Sequence, residues 1–293
     1  MNKSPPLISI VIPTYNHAKY LDKALNSVIE QTYKNWEIIV VDNFSSDNTE
    51  EVVLKYKDSK IKYIKVKNDG VIAKSRNTGI SNAKGDWIAF LDSDDWWSPR
   101  KLETIFPYLN QSNDFIYHNL QIINKDNVKT KKKTLKSRNL HKPVTLDLIL
   151  NGNPICNSSV VVRKKFLEKI GGLNESKEMI AAEDYNAWIK ISCLTDKFLY
   201  VSKSLGYYLV HEKGISHKDM SIPSRHATNE FLSKLSNRHK LQLEAYLRYI
   251  GGCYKFSKKE YRKSKEDFLF AKKFSKLSIK IKSYVYLMMI YFK

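Results

Sequence analysis

The 293-residue chain contains few cysteines and no long apolar run. Cys156, Cys193 and Cys253 are odd in number and far apart, so we expect free thiols in a reducing compartment and no zinc site of closely spaced cysteines. The longest apolar stretch, residues 284–292, has nine residues, whereas a membrane-spanning helix needs at least ~18. No signal-peptide core precedes the first predicted strand, which favours a cytoplasmic location.

The chain also lacks the short motifs of several enzyme classes. It has no Walker A loop, no G-x-G-x-x-G and no H-E-x-x-H, since Ile215 stands where a second histidine would follow His211-Glu212. ATPases, dinucleotide-dependent dehydrogenases and zinc proteases therefore lose their main support. A sugar-nucleotide-forming nucleotidyltransferase would need a Gly-rich, basic phosphate loop near the N-terminus, and none is present.

Positive charge is abundant but unevenly distributed. Lys and Arg number 50 against 30 Asp and Glu, a formal net charge of +20. Residues 1–114 carry 15 basic and 15 acidic side chains, residues 115–224 are net +8, and residues 225–293 are net +12. The neutral first third and the basic remainder indicate two tasks in one chain. Because the basic residues form no recognisable nucleic-acid-binding motif, we expect no nucleic-acid partner.

Apolar runs alternate with helical patterns through the first 110 residues. Strands are predicted at 7–12, 37–41, 61–66 and 87–91, with helices between them. Ser98 is expected to cap a further helix that continues to Leu109. This alternation predicts an α/β fold with a mostly parallel sheet wrapped by helices. In such sheets the ligand site lies beyond the carboxyl ends of the strands.

The alternation of predicted strands and helices changes after residue 115. Strands are predicted at 115–123, 158–162, 198–201 and 207–210, and shorter helices lie between them. From about residue 225 the pattern is wholly helical. Bulky residues recur there every seven positions, with a small residue three places after each, which favours packing against a neighbouring helix.

Acidic side chains are concentrated at one predicted strand end. Asp92, Asp94 and Asp95 follow the buried strand at 87–91. Carboxylates so close together repel one another unless a cation or hydrogen-bond donors are present, and a divalent ion shared with phosphate oxygens is the usual solution. A solvated acidic turn is the alternative. Tyr15 and Asp42 lie at two other strand ends, where an aromatic ring and a carboxylate suit an aromatic base.

Five motifs occur in an order that resembles glycosyltransferase family 2. They are Ser-Ile-Val-Ile-Pro-Thr-Tyr-Asn at 9–16, Val-Val-Asp-Asn-Phe-Ser-Ser-Asp-Asn-Thr at 40–49, Gly-Val-(x4)-Arg-Asn-Thr-Gly at 70–79, Asp-Ser-Asp-Asp at 92–95 and Trp-x-Pro-x-Lys-Leu-Glu at 97–103. The resemblance is dense over 7–110, resumes around 154–216 and is absent beyond about 225. It implies the GT-A fold, a nucleotide-activated sugar, a divalent metal and inversion at the anomeric carbon.

The resemblance implies roles for particular residues. Asp94 would coordinate Mn²⁺ or Mg²⁺, and Asp92, with Ser93 between them, would contact the ribose or a metal-bound water. The donor base would lie against a set formed by Pro13, Thr14, Tyr15 and Asp42, and Arg76 would approach the base or the diphosphate. Many relatives have a second acid where this chain has Asn43, which leaves that position without an assigned role.

A later segment supplies the expected catalytic base. Ala182-Glu183-Asp184-Tyr185-(x2)-Trp188 resembles the Glu-Asp-x-x-x-Trp motif of the family. Asp184 would take the proton of the acceptor hydroxyl, and Glu183 would assist it or bind the acceptor. The simpler alternative is that both acids only favour a helix N-terminus. His211 lies in a segment that resembles one near the diphosphate and is a weak candidate metal ligand.

These implications define the expected organisation and partners. Residues 1–224 would form the GT-A domain, divided into a nucleotide-sugar part (1–114) and an acceptor part (115–224), and residues 225–293 a basic helical appendage. We expect a UDP-sugar donor and a glycan acceptor linked to a polyprenyl diphosphate in surface-polysaccharide assembly. The basic appendage would bind the inner face of the cell membrane, and a basic, solvated helical tail is the alternative. A basic scaffold protein on a catalytically inactive GT-A fold is the alternative.

Overall fold

The computed structural model describes residues 5–124, 133–210 and 218–293, which form two compact units. The first unit comprises the described residues of Met1–Leu140, Pro154–Glu175 and Lys190–His211. The second comprises those of His141–Asn153, Ser176–Ile189 and Glu212–Lys293. The functional division predicted near residue 224 stays a prediction.

The described ranges contain the following regular elements. The strands are β1 (Ile8–Thr14), β2 (Trp36–Asp42), β3 (Ile61–Lys65), β4 (Trp87–Phe90), β5 (Trp96–Trp97), β6 (Phe115–Asn124), β7 (Thr134–Leu135), β8 (Val161–Arg163) and β9 (Phe198–Val210). The helices are α1 (Ala18–Ile29), α2 (Thr49–Leu54), α3 (Ile72–Asn82), α4 (Lys101–Ile105), α5 (Val144–Asn151), α6 (Lys164–Lys169), α7 (Glu183–Ser192), α8 (Ser221–Asn229), α9 (Asn237–Ser257), α10 (Tyr261–Phe274) and α11 (Leu277–Tyr291).

All of these strands belong to one mixed sheet in the first unit. Its order is β3-β2-β1-β4-β8-β6-β9-β5, and β7 pairs with β6. The first four strands are parallel, as predicted, whereas β8, β5 and β7 pair antiparallel with their neighbours. The register aligns Thr14 with Asp42 and Val11 with Phe90, so the carboxyl ends of β1, β2 and β4 meet at one edge.

Each face of β1 packs against a different helix. Ile8, Ile10 and Ile12 alternate along the strand and join the core cluster that includes the buried residues of α1. On the other face, α3 approaches closely at Gly79, where an added Cβ would lie 2.3 Å from Cγ1 of Val11. Only glycine permits this contact, and the close approach brings the α3 helix next to the strand ends.

Three local predictions were wrong. The strand predicted at 158–162 begins only at Val161, because Asn157–Ser159 form a 3₁₀ turn. The helix after Ser98 begins only at Lys101 and gives way to a 3₁₀ turn at Phe106–Tyr108. Ser98 does not cap it, because its hydroxyl donates to the carbonyl of Leu205 (3.1 Å), and Pro107 cannot continue an α-helix. The two strands predicted at 198–201 and 207–210 are one strand, β9, which pairs with β6 through register shifts.

The second unit is helical, and its helices after residue 220 agree with the predicted pattern. Helices α9 and α10 approach closely at Gly252, whose added Cβ would lie 3.1 Å from the ring of Phe268. Of the predicted bulky-and-small pattern, Ser264, Phe268 and Ala271 are buried, Tyr254 and Tyr261 are half-buried, and Ser257 is exposed. None of the helices in the described ranges is long and apolar enough to cross a membrane.

Candidate active site

Two loops beyond β1 and β2 are tied together by hydrogen bonds. The amide of Asn43 donates to the carbonyl of Thr14 (3.0 Å), and the amide of Ser46 donates to Oδ1 of Asn16 (2.8 Å). The amide of Asn16 donates in turn to Oγ of Ser45 (2.8 Å). These bonds link loops that are about 30 residues apart in sequence, so the edge of the sheet presents one preformed surface.

Asp42 supports this surface from inside the protein. It is fully buried, and its carboxylate accepts bonds from the amide and hydroxyl of Ser45 and from the hydroxyl of Tyr63 (2.7 Å). Burial and the bond to Asp42 raise the pKa of Tyr63, which therefore stays a neutral donor. The structure thus places Asp42 under the loop that carries Phe44. Its direct contact with a base stays a prediction.

An open cavity of about 370 Å³ lies above that loop. It is lined by Tyr15, Asn43, Phe44, Lys67 and Asp69. The rings of Tyr15 and Phe44 are more than half exposed. Phe44 also has a φ of 53°, a left-handed conformation that is costly for a bulky residue. An exposed aromatic ring held in a strained conformation beside a cavity indicates a binding role.

Pro13 and Thr14 form the end of β1 beside this cavity. Pro13 is buried opposite Val41 within the sheet. The Oγ1 atom of Thr14 is also buried, and it has no hydrogen-bond partner among the described residues. A buried hydroxyl without a partner costs free energy, so a polar group of a ligand at this strand end would satisfy it.

The acidic segment follows β4 at the same edge. Oδ1 of Asp92 accepts from Nη2 of Arg76 (2.8 Å) and from Nδ2 of Asn157 (3.1 Å). Arg76 is buried, with 4% of its surface exposed, whereas the side chain of Asp92 is 28% exposed. Both donors fix the same oxygen, so they orient a carboxylate that solvent can still reach. The structure thus pairs Arg76 with Asp92, a contact that the sequence did not indicate, and the predicted approach of Arg76 to a base or diphosphate stays a prediction.

Ser158 anchors the segment on its other side. Its hydroxyl donates to Oδ2 of Asp95 (2.5 Å) and accepts from the amide of Asp92 (3.1 Å). Burial, followed by the charges of Asp94 and Asp92, raises the pKa of Asp95 well above its usual range. Asp95 therefore holds the segment in place from inside the protein and is not a solvent-facing ligand.

Ser93 and Asp94 alternate along the segment between buried and accessible positions. The hydroxyl of Ser93 is buried and lies 2.9 Å from Nδ1 of His17, just before α1. Asp94 is half-buried. The two accessible carboxylates are thus Asp92 and Asp94, which are two residues apart, as the Asp-x-Asp pattern predicts.

The donor set at this segment fits a divalent cation that is shared with a ligand. Within the described ranges, no group of three or more His, Cys, Asp or Glu side chains is placed to hold a metal by itself. Mn²⁺ and Mg²⁺ are commonly held by one or two carboxylates plus phosphate oxygens, which Asp92 and Asp94 could provide together with a diphosphate. Besides burial, the negative charges of Asp94 and Asp92 raise the pKa of Asp95, and such a cation would reduce that excess charge.

Three residues around this segment were missed from the sequence. Asn157 and Ser158 lie in a short 3₁₀ turn before β8, and Lys101 is fully buried in α4. Nζ of Lys101 lies 3.2 Å from the ring centroid of Trp97 and 3.4 Å from the carbonyl of Ser158, and burial lowers its pKa well below 10.5. The small polar run 157–159 before an apolar strand was the only available signal.

The two predicted catalytic acids lie in the second unit, in the first turn of α7. Glu183 is buried, whereas Asp184 is half-buried and therefore the more accessible carboxylate. Two neighbours fix the helix within its unit, since the Tyr185 hydroxyl donates to the carbonyl of Leu148 (2.7 Å) and Asn186 donates to the carbonyl of Ala227 (3.0 Å). The predicted metal ligand His211 lies outside the described residues.

Known proteins with similar sequences support the interpretation of these motifs. The model of the family "Glycosyl transferase family 2" matches residues 9–171. The chain is 35% identical over 186 residues to the Escherichia coli protein WfgD, named UDP-Glc:alpha-D-GlcNAc-diphosphoundecaprenol beta-1,3-glucosyltransferase. That match covers 63% of this chain and 69% of WfgD. Several longer relatives from Rickettsia are matched over only about a third of their length.

Solved structures show the same fold at low sequence identity. S. aureus TarS 1-349 in complex with UDP-GlcNAc has a TM-score of 0.66 at 21% identity, with 97% of this chain and 89% of that chain covered. Mannosyltransferase PcManGT from Pyrobaculum calidifontis, in complex with GDP-Man and Mn²⁺, has a TM-score of 0.62 at 16% identity, with 99% and 85% covered. The fold is thus GT-A-like with C-terminal helices, as predicted. With the family model matching more than half of its residues, the chain belongs to glycosyltransferase family 2.

Proposed function

We propose that this chain is an inverting, metal-dependent hexosyltransferase. It transfers a sugar from a UDP-sugar to a glycan acceptor linked to a polyprenyl diphosphate, in the assembly of a surface polysaccharide. The observation that carries the proposal is the edge of the first unit, where the aromatic cavity and the Asp92–Asp94 segment lie beyond neighbouring parallel strands. The name of WfgD supports a UDP-sugar and a lipid-linked acceptor.

The donor would bind across that edge. Its base would stack on Tyr15 and Phe44, and Thr14 would satisfy its buried hydroxyl with a polar group of the nucleotide. Asp94, assisted by Asp92, would hold Mn²⁺ or Mg²⁺ against the diphosphate. Such a cation supplies charge stabilisation for the departing diphosphate. Arg76 and Asn157 keep the Asp92 carboxylate in one orientation for this task.

Asp184 would be the catalytic base. As the acceptor oxygen forms its bond to the anomeric carbon, the bond from that carbon to the diphosphate oxygen breaks, and UDP leaves. The hydroxyl proton passes to a carboxylate oxygen of Asp184. Attack on the face opposite the leaving group inverts the configuration. A positioned base of this kind contributes about 10² to 10⁴ in rate.

The test is UDP release from a panel of UDP-sugars with Mn²⁺ and a GlcNAc-diphosphate lipid as acceptor. Asp184→Asn is expected to lower kcat at least a hundredfold while leaving the affinity for UDP unchanged. Glu178→Gln, at an exposed carboxylate of the same unit, is the matched control and should retain full activity. Asp94→Asn and chelation of the metal should both weaken donor binding.

Two results would contradict the proposal. If the Asp184→Asn variant turns over as fast as wild type, Asp184 is not the base. If donor binding is unchanged both by the chelator and by Asp94→Asn, the metal has no role in binding the donor. If no UDP-sugar is turned over with any acceptor, although UDP binds, the alternative of a catalytically inactive GT-A fold is supported.

A further inference from the structure

Helix α11 has an exposed apolar face. Five side chains at offsets 0, 4, 7, 8 and 11 share one side of the helix, as the helical repeat requires, and the C-cap residue Phe292 continues the same stripe. The six side chains are Leu277, Ile281, Tyr284, Val285, Met288 and Phe292, and each is more than half exposed. Soluble proteins seldom expose so many large apolar side chains together unless the patch binds something.

The opposite face of α11 explains how the helix is held. Ile279 and Ser283 are buried, and the ring of Tyr286 stacks on Phe268 of α10 with centroids 4.6 Å apart. Packing within the second unit therefore accounts for one apolar face of the helix only. The inner face anchors α11 along its length, so a ligand of the outer face must accept a helix lying flat.

Positive charge borders the exposed face. On a helical projection Lys276 and Lys280 fall on one side of the apolar stripe, and Lys282 falls on the other. Nζ of Lys272, from α10, lies 4.6 Å from the ring centroid of Tyr284 within the stripe. No Asp or Glu occurs between residues 268 and 293. The face is thus an apolar stripe between lysines.

The charge pattern decides between two possible occupants. A second copy of this face would bring lysines against lysines with no acid to pair with them. A bilayer with anionic headgroups offers the complementary charge, and its acyl region accepts the apolar side chains. Tyrosine is also a residue that settles at the headgroup level.

We propose that the outer face of α11 binds flat on the surface of an anionic lipid bilayer. The stripe enters the headgroup and acyl boundary, and the flanking lysines contact lipid phosphates. The proposal rests on the proposed function in one respect, because a lipid-linked acceptor gives the enzyme a reason to be at the membrane. It refines the predicted role of the basic C-terminal region to one face of one helix.

The experiment is flotation of the full chain with vesicles that contain no donor and no acceptor. Wild type should bind vesicles of phosphatidylcholine with about one-third phosphatidylglycerol, and bind weakly to phosphatidylcholine alone. Ile281→Glu/Met288→Glu should lower binding more than tenfold. Lys280→Gln/Lys282→Gln should lower it about 25-fold, since each lysine is worth about fivefold, or ~1 kcal/mol. Leu54→Glu is the control, because Leu54 of α2 is as exposed as Met288.

Each remaining outcome counts against the proposal. Wild type that does not float, or Ile281→Glu/Met288→Glu protein that floats as well as wild type, overturns it. If that double variant instead reduces the mass measured by light scattering and leaves flotation unchanged, the face joins two copies of the chain. Because the vesicles hold no substrate, failure of UDP release leaves the flotation result intact, and the two proposals fail separately.

Discussion

Replacing Ser158 by alanine tests how the acidic segment is held. The substitution removes the hydrogen bond to the buried Asp95 carboxylate and the one accepted from the Asp92 amide. A bond to a charged group contributes about 1.5–3 kcal/mol and a neutral one about 1 kcal/mol. We therefore expect Ser158→Ala to lower the free energy of unfolding by about 2–4 kcal/mol, measured by urea denaturation followed by tryptophan fluorescence.

The same substitution should weaken donor binding. Without Ser158 the segment loses two anchors, and donor binding must then order backbone that is already fixed in the wild type. Ordering one residue costs about 1–2 kcal/mol, so we expect the Kd for UDP with Mn²⁺ to rise about tenfold. Fluorescence titration at low temperature and without denaturant measures this Kd while the variant is still folded.

Ser159→Ala is the matched control. Ser159 is equally buried in the same 3₁₀ turn, but its hydroxyl donates to the carbonyl of Cys156 (2.7 Å) and contacts no acid of the segment. It should lose about 1 kcal/mol of stability and bind UDP as the wild type does. The reasoning is refuted if Ser158→Ala unfolds within 0.5 kcal/mol of wild type, roughly the error of such measurements, or if the two alanine variants bind UDP equally.

Three further substitutions test other contacts of the site. Because burial lowers the pKa of Lys101, the native state binds fewer protons than the unfolded state at any pH between that lowered pKa and 10.5, and the free energy of unfolding there rises by at most about 1.4 kcal/mol per pH unit. Lys101→Met should remove this contribution, so denaturation between pH 7 and 10 should show a shallower rise in the variant than in wild type. Thr14→Val should leave the free energy of unfolding unchanged or slightly higher, because it removes a buried hydroxyl without a partner, yet raise the Kd for UDP about fivefold in a titration. A variant that loses both stability and UDP affinity would contradict this. Phe44→Asn should raise the free energy of unfolding by up to ~1 kcal/mol, since Asn tolerates a positive φ, and should raise the Kd for UDP at least fivefold because the stacking is lost. A loss of stability without a change in UDP affinity would argue against a binding role.

The strand-end part of the site could be predicted from the sequence because its logic is local. Each apolar run ends in a polar residue, and parallel strands bring their carboxyl ends to one edge. Asp42 and Asp92 were placed correctly for that reason. Arg76 followed from its motif, although the sequence did not indicate that its partner would be Asp92.

The supports of the site could not be predicted, because their partners are distant in sequence. Asn157 and Ser158 reach Asp92 across 65 and 66 residues, through antiparallel pairing of β8 with β4 that no local pattern encodes. Lys101 was recognised only as part of a motif, and no local pattern indicates its contact with the carbonyl of Ser158, 57 residues away. That Ser98 does not cap α4 was missed for the same reason, since its hydroxyl bonds to a strand 107 residues away.

The balanced charge of residues 1–114 conceals a local imbalance that bears on function. The acidic segment has three carboxylates, of which Asp92 pairs with the buried guanidinium of Arg76, and burial followed by the charges of Asp94 and Asp92 raises the pKa of Asp95. A polyanion would increase the repulsion at these carboxylates, whereas a divalent cation would remove it and then attract a diphosphate. The electrostatics of the segment therefore favour a metal and a nucleotide, while the lysines beside the α11 stripe favour an anionic surface. The two units thus differ in the charge that they favour in a ligand, which agrees with the proposed transfer from a nucleotide-sugar to a lipid-linked acceptor.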